Sequence, residues 1–244
     1  MSTHETHRRV TDRVLAVLNA LSKADDLDVH ELSERTKIPA STIYRILAAT
    51  NDAGFTRRVA TGRYSAGPGS IPLAQRYREH ALKHSAVAPQ LEKLVADSGE
   101  LAAFLIPYGN EALCVEAVET HRTLRCSFST GATQPLLHGA TATALLSRLS
   151  QARRQRTYAH YDLDTSTIET IEHECNRAIT DGYAVSTGVL DPGVWGASAP
   201  VIDADGALLG TVTIMAPELR VQGRTNRLID MVCRTSDELS GGKA

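Results

Sequence analysis

The sequence has no long hydrophobic run. Its first twenty residues, MSTHETHRRVTDRVLAVLNA, contain no apolar stretch of the length that a signal peptide needs. No later stretch approaches the length of a membrane-spanning helix. The apolar runs LAAFLIPY and ALLGTVTIMAP are short and are typical of buried strands. We therefore expect a cytoplasmic protein that binds no membrane.

The sequence also lacks cysteine motifs. Its four cysteines, Cys114, Cys126, Cys175 and Cys233, form neither a CxxC pair nor a recognisable zinc spacing. This pattern predicts free thiols in a reducing compartment and no bound metal.

No set of catalytic residues can be recognised. Cys175 follows Glu174 in an amphipathic helix, and the sequence shows no histidine positioned as a catalytic partner for them. There is no Walker loop and no GxSxG motif, and HGATATA has too few glycines to cradle a phosphate. We therefore predict that the protein is not an enzyme and uses no cofactor.

The net charge of −2 excludes a uniformly basic nucleic-acid binder, but the charges are unevenly placed. Residues 1–65 carry ten Lys or Arg against eight Asp or Glu, whereas the remainder carries sixteen against twenty. Within the first segment the acidic residues come early, and Arg45, Arg57, Arg58 and Arg63 come late. This order predicts a small domain that is basic on one face.

The length of 244 residues favours one large or two ordinary domains. Apolar residues recur at helical spacing over 9–22, and DVHELSERT is a short second helix. Pro39 lies near the start of a third helix, and Gly54 is a plausible C-terminal cap for it. The runs around ATG, with Gly62 at the turn, predict a β-hairpin. Three helices followed by a hairpin make a winged helix-turn-helix.

The rest of the chain alternates helices and strands. We predict a linker helix over 70–84, and a second helix over SAVAPQLEKLVADSG. The further predicted helices are GATATALLSRLS at 139–150, TIETIEHECNRAITDG and RTNRLIDMVCRTSDELS. The predicted strands are LAAFLIPY, ALCVEAVE, TLRCSFS, YAVSTGVL, ASAPVID and LLGTVTIM. The fold class is therefore α+β, with a first domain at 1–68, a linker at 69–84 and a sensor-like domain at 85–244.

The third helix has a polar face that suits DNA. In LSERTKIPASTIYRILAAT, helical spacing places Ser41, Tyr44, Arg45 and Ala48 together, opposite an apolar face. Such a helix fits the major groove of B-DNA, and hairpin arginines would reach the flanking backbone. A protein-binding winged helix and a merely solvated helix are the alternatives. The predicted DNA-contacting residues are Ser41, Thr42, Tyr44, Arg45, Arg57, Arg58 and Arg63.

Four stretches of the chain resemble the IclR family of transcriptional regulators. LSERTKIPASTIYRILAATNDAGF resembles the family's DNA-binding helices, and RYSAGPGS resembles the exit from its wing. PLLHGATATALLS and DGYAVSTGVLDPGVWGASAPVIDADGALLGTVTI resemble its sensor domain. The resemblance implies a GAF-like antiparallel sheet flanked by helices. It also implies dimers or tetramers on palindromic double-stranded operator DNA.

The chain departs from the family pattern at several positions. Ala40 stands where the family often has a lysine, and Thr143–Ala144 stand in place of Gly-Lys. Ser186–Thr187 replace a common acidic pair, and Gly196 replaces a frequent cysteine. Except for Ala40, these changes fall in the sensor domain and bear on the identity of its ligand.

The resemblance also implies a pocket for a small organic acid at the start of the 139–150 helix. Hydroxyl donors and free N–H groups there would bind a carboxylate, beside apolar walls. The alternatives are that Trp195 is a core residue and that Thr141 only caps the helix. The implied pocket residues are Leu124, Ser127, Thr141, Ala142, Ser186, Val194, Trp195, Gly196, Thr213 and Met215.

These features together predict a transcriptional regulator, expected to be a repressor, whose operator binding changes with a small carboxylate effector. The alternative is a small-molecule enzyme or redox domain fused to a DNA-binding module. Turnover distinguishes the two, because a sensor leaves its ligand chemically unchanged.

Overall fold

The computed structural model describes residues 3–81 and 84–241. The chain divides into two compact units, the first of which ends at Ala81. Among the described residues, no helix is long and apolar enough to cross a membrane. The first unit comprises α1 (Thr3–Leu21), β1 (Leu27–Asp28), α2 (Val29–Thr36), α3 (Ala40–Asp52), β2 (Thr56–Ala60), β3 (Arg63–Ala66) and α4 (Ser70–Ala81).

Local sequence signals fix the ends of α2 and α3. The Asp28 side chain accepts a hydrogen bond from the Glu31 N–H, and the Glu31 side chain accepts one from the Asp28 N–H, both at 2.8 Å. This reciprocal capping box starts α2. Lys37, in the left-handed conformation, ends α2, and Pro39 immediately precedes α3. The two helices are thus held in a tight helix-turn-helix.

The apolar faces of α1, α2 and α3 form one small core, which includes Val17, Leu32, Ile43 and Leu47. A three-stranded antiparallel sheet of order β1-β3-β2 completes the unit. The turn between β2 and β3 contains Gly62, whose φ of 75° few other residues adopt. The predicted winged helix-turn-helix is confirmed.

The second unit is built on one six-stranded antiparallel sheet, of order β6-β5-β4-β9-β8-β7. Its elements are α5 (His84–Ser98), β4 (Leu101–Tyr108), β5 (Glu111–Val118), β6 (Thr133–Pro135), α6 (Ala140–Leu146), α7 (Gln151–His160), α8 (Thr165–Asp181), β7 (Ala184–Thr187), β8 (Val194–Ile202), β9 (Leu208–Pro217), α9 (Glu218–Val221) and α10 (Thr225–Leu239).

Helices cover both faces of this sheet. On one face Phe104 of β4 joins a core with residues of α5 and α10, such as Leu91 and Leu228. On the other face Leu105 joins a second core with α6, α7 and α8. Alternate residues of β4 thus serve opposite cores, as the period of two in a strand requires. The predicted α+β class is confirmed.

Two predicted elements are wrong. TLRCSFS is not a strand, because Arg125 and Ser127 both bind the Glu119 side chain and fold the segment back on itself. The sheet takes its sixth strand from β6 instead, which pairs with β5.

The helix predicted over 139–150 is shorter than expected. It ends at Leu146, where Ser147 Oγ donates to the Ala144 carbonyl at 2.8 Å and a turn follows. Ser150 then precedes a separate helix, α7. The second serine in SRLS, Ser150, therefore marks the start of a new helix.

Candidate DNA-binding surface and effector recess

The outer face of α3 is polar and exposed. Ser41, Tyr44 and Arg45 lie on it, and Tyr44 is 59% exposed. Thr42 is half-buried at the edge of this face. Ile43 and Leu47, on the inner face, are fully buried. The buried inner face holds α3 against the core. The side chains of the outer face are therefore exposed to solvent on a helix whose position is fixed.

The three wing arginines have different environments. Arg58 is exposed, and Arg57 is exposed but donates from Nε to Ser65 Oγ at 3.1 Å. Arg63 is half-buried and binds the side chain of Asp26, with Glu31 at 3.1 Å and Asp28 at 3.7 Å. The hydrogen bond to Asp26 raises the pKa of Arg63.

Arg63 differs in this way from the other two wing arginines, and its contact with DNA stays a prediction. Its guanidinium joins the wing to the start of α2, since three carboxylates surround it. These ion pairs are absent from the described surroundings of Arg57 and Arg58.

In the second unit, a recess lies between α6 and the strands β7, β8 and β9. Six of the ten residues implied for the pocket line it, and none of the lining residues that the structure describes is charged. The cavity volume is about 20 Å³, which holds one water-sized group. The lining residues are Gln134, Ala140, Thr141, Ser186, Leu190, Val194, Gly196, Thr213 and Met215.

A cluster of three buried hydroxyls lies at the recess. Thr141 Oγ1 is 3.0 Å from Thr213 Oγ1 and 3.3 Å from Ser198 Oγ. Ser198 Oγ and Thr213 Oγ1 are 2.7 Å apart, on facing positions of β8 and β9. These hydroxyls satisfy one another, so a ligand that binds here exchanges hydrogen bonds with the cluster.

Ser186, rather than Thr141, caps α6. The Ala140 N–H donates to Ser186 Oγ at 3.0 Å, so one N–H of the first turn is already bound by a side chain. In the part of the chain that the structure describes, the Ser186 hydroxyl donates to no protein acceptor. Its proton is available to a ligand in the recess.

Four residues implied for the pocket lie elsewhere. Trp195 packs in the core on the opposite face of the sheet, because it alternates with Val194 and Gly196 along β8. Ala142 is fully buried in the second core. Leu124 is 65% exposed, and Ser127 is bound to Glu119. The core alternative is thus correct for Trp195.

Sequence reasoning missed four residues at or beside the recess: Gln134, Ala140, Leu190 and Ser198. Ser198 follows Gly196 by two positions in the same strand, so the period of two could have identified it. Gln134 belongs to β6, which was not predicted. The predicted strand YAVSTGVL ends at Leu190, but β7 ends at Thr187, so Leu190 lies in the connection between β7 and β8.

A buried ion cluster lies at the start of β4. The Glu100 side chain is fully buried and binds Arg220 through both carboxylate oxygens, with Arg224 at 3.5 Å. Arg220 also donates to the Leu124 carbonyl at 2.6 Å, and Arg224 donates to the Ser98 carbonyl at 2.6 Å. The cluster therefore joins β4, α9 and the segment that follows β5.

Two of the four thiols are buried and weakly reactive. Cys114 and Cys175 are buried, and burial raises the pKa of each to about 12. Such thiols stay protonated at neutral pH and are poor nucleophiles. Among the described residues, no group of three or more His, Cys, Asp or Glu could bind a metal ion.

Comparison with known proteins yields consistent similarities. KipR of Bacillus subtilis (strain 168), an HTH-type transcriptional regulator, is 26% identical over 212 residues, which are 84% of this chain and 85% of KipR. An IclR transcriptional regulator from Silicibacter sp. TM1040 has a crystal structure with a TM-score of 0.85, at 20% identity, covering 96% of this chain and 97% of the other. An IclR homolog from Microbacterium hydrocarbonoxydans, crystallised with 4-hydroxybenzoate, has a TM-score of 0.74 at 17% identity. The match covers 96% of this chain and 98% of the homolog.

Two domain families match the chain itself. The IclR helix-turn-helix domain matches residues 10–60, and the C-terminal domain of the bacterial transcriptional regulator IclR matches residues 76–241. The second match alone spans more than half of the chain. With its winged helix-turn-helix and its helix-covered antiparallel sheet, this chain belongs to the IclR family of bacterial transcriptional regulators.

Proposed function

We propose that the protein is a one-component repressor that binds an operator through α3 and the wing, and a small organic acid in the recess. The observation that carries this proposal is the pairing of an exposed polar helix face with an uncharged, hydroxyl-rich recess in another unit. Binding of the acid alters the affinity for the operator.

The DNA contacts follow from the donors on each element. Arg45 has the geometry to donate two hydrogen bonds to a guanine edge, and Ser41 and Tyr44 lie beside it. Arg57 and Arg58 supply charge to the flanking phosphates. One helix reads few base pairs, so we expect a dimer, alone or paired into a tetramer, on a palindromic site.

The chemistry of the recess points to the class of ligand. Ser186 offers a free hydroxyl proton, and Thr141 and Thr213 offer exchangeable ones. Val194 and Met215 supply apolar walls. A carboxylate or hydroxyl head on a short organic body fits this set of groups. The 4-hydroxybenzoate bound to the Microbacterium homolog supports an aromatic carboxylate.

Fluorescence anisotropy on DNA from both flanks of the gene tests the proposal. We expect sequence-specific binding that weakens steeply with salt. Addition of 4-hydroxybenzoate, or of a panel of aliphatic and aromatic carboxylates, should shift the operator affinity, and the ligand should be recovered unchanged. Salt-independent binding, or consumption of the ligand, would contradict the proposal.

A reporter assay tests the sign of regulation. Deletion of the gene should raise transcription from the bound promoter if the protein represses it. A fall in transcription would identify an activator instead.

A further inference from the structure

One of the protein's own side chains narrows the recess. Leu190 lines it from the β7–β8 connection and lies against Gly139, just before α6. A methyl group in place of the Gly139 hydrogen would lie 3.2 Å from Leu190 Cδ1 and 3.3 Å from its Cγ. The glycine thus leaves the space that the leucine occupies, and about 20 Å³ of cavity remains.

Leu190 is weakly held. It is 44% exposed, and in the described part of the chain it belongs to none of the apolar core clusters. Its neighbour Val189 is likewise exposed, at 52%. An apolar side chain in this state loses little burial when it swings into solvent.

The backbone of the β7–β8 connection is held at its two ends, which leaves the residues between them free to move. The Gly188 N–H donates to the Val194 carbonyl at 2.8 Å, and the Gly193 carbonyl accepts from the Glu218 N–H at 2.8 Å. Gly188 and Gly193 have φ values of 66° and 78°, so a glycine flanks each end of the segment 189–192, the tip of this connection. Such short, glycine-bounded tips open locally more easily than the strands they join.

We propose that Leu190 is an internal plug, which an entering effector must displace, and that it sets the size and apparent affinity of the ligand. This inference rests on the proposed function of the recess. A ligand that binds only the unplugged form has its affinity reduced by the fraction of molecules that are open. If Leu190 is a plug, a smaller side chain at this position strengthens ligand binding. If Leu190 is instead a wall that contacts the ligand, a smaller side chain weakens it.

A labelling experiment tests the plug without any ligand. In the full-length protein, Ser186→Cys places a thiol in the recess, and its alkylation by iodoacetamide is followed by peptide-resolved mass spectrometry. Adding Leu190→Ala should raise the labelling rate about tenfold if the recess is open in about a tenth of the molecules. Leu190→Met preserves the bulk and should leave the rate unchanged. Val189→Ala, on the same tip, is the matched control and should also leave it unchanged.

Three results would overturn the plug. These are an unchanged rate in Leu190→Ala, an equal increase in Val189→Ala, or a fall in Tm as large as that of a core leucine. The last would show that Leu190 is a structural residue.

Calorimetry with 4-hydroxybenzoate separates this inference from the proposed ligand class. If the plug is correct and this ligand binds, Leu190→Ala should lower its Kd about tenfold, and a raised Kd would show that Leu190 is a wall. If labelling accelerates in Leu190→Ala but no carboxylate binds to either protein, the plug stands and the proposed ligand class is wrong.

Discussion

The α3 face and the recess present polar groups in opposite ways. On α3, Tyr44 and Arg45 are exposed, and the core residues behind them fix the helix. In the recess, Thr141 and Thr213 are already hydrogen-bonded and nearly shielded from solvent. A large, rigid partner such as DNA can meet donors that are formed in advance. A small ligand that is enclosed in the recess must instead exchange the hydrogen bonds between these hydroxyls for its own, and displace the side chain that narrows the recess.

The two regions also differ in charge. Arginines supply the donors around α3, whereas the described lining of the recess is uncharged. Salt should therefore control binding at the first surface strongly and binding in the recess weakly.

Glu100→Ala should destabilise the second unit and leave the first unit folded. Arg220 and Arg224 lose their common buried carboxylate, and breaking a buried ion pair from one side typically costs about 3 kcal/mol or more. Thermal unfolding followed by circular dichroism measures the loss. Glu238→Ala removes a more exposed carboxylate, which lies 3.8 Å from Lys93, and is the matched control. Equal and small losses in the two variants would show that the buried cluster is not essential.

Arg45→Ala should weaken binding to the specific operator by about 1–3 kcal/mol, the usual cost of a lost base contact. Its effect on folding should be small, because Arg45 is exposed. Anisotropy titrations against the operator and a scrambled duplex separate specific from non-specific loss. Arg13→Ala removes another exposed arginine, from α1, and is the control. Unchanged operator affinity with intact helicity would exclude a base-reading role for Arg45.

The first unit could be predicted from sequence because its signals are local. The capping residue Asp28, Pro39 and Gly62 each act within a few positions along the chain. The apolar period alone identifies the buried side of α3, with Ile43 on it. Arg63 is the exception, since its partner Asp26 is 37 positions away.

The recess could be predicted only in part because it is built from distant segments. Thr141 and Thr213, which resemblance to the family implied, meet across 72 positions. That resemblance did not resolve which face of β8 each residue occupies, so Trp195 was misplaced. Leu190 lines the recess from the connection after β7, beyond the point where the predicted strand YAVSTGVL stops being a strand, so strand periodicity does not indicate its position.

Thr141→Val should raise the effector Kd at least about tenfold, or roughly 1.4 kcal/mol. The substitution keeps the shape and removes one hydroxyl, while Ser198 and Thr213 still bind each other at 2.7 Å. Calorimetry measures the effector affinity, and anisotropy measures operator binding with and without it. Operator affinity without effector should not change, because the sites lie in different units.

The control is Thr157→Val, which removes a buried hydroxyl on α7 outside the recess. If Thr141→Val leaves effector affinity intact, the ligand's polar head binds elsewhere. If it abolishes DNA binding in the absence of effector, the assignment of separate tasks to the two units is wrong.

Arg58→Ala and Arg63→Ala should have different effects on the salt dependence of DNA binding, although they lie in one hairpin. Arg58 is exposed, so its loss should weaken binding to all sequences and flatten the slope of log K against log salt by about one unit, close to the value for one phosphate contact. Arg63 already faces Asp26 and Glu31, so its loss should leave the slope unchanged and lower the Tm of the first unit slightly. Anisotropy titrations from low to high salt, paired with thermal melts, measure both quantities. A flattened slope in Arg63→Ala would mean that its guanidinium leaves these carboxylates when DNA binds, and that the wing, like the recess, must exchange partners to bind its ligand.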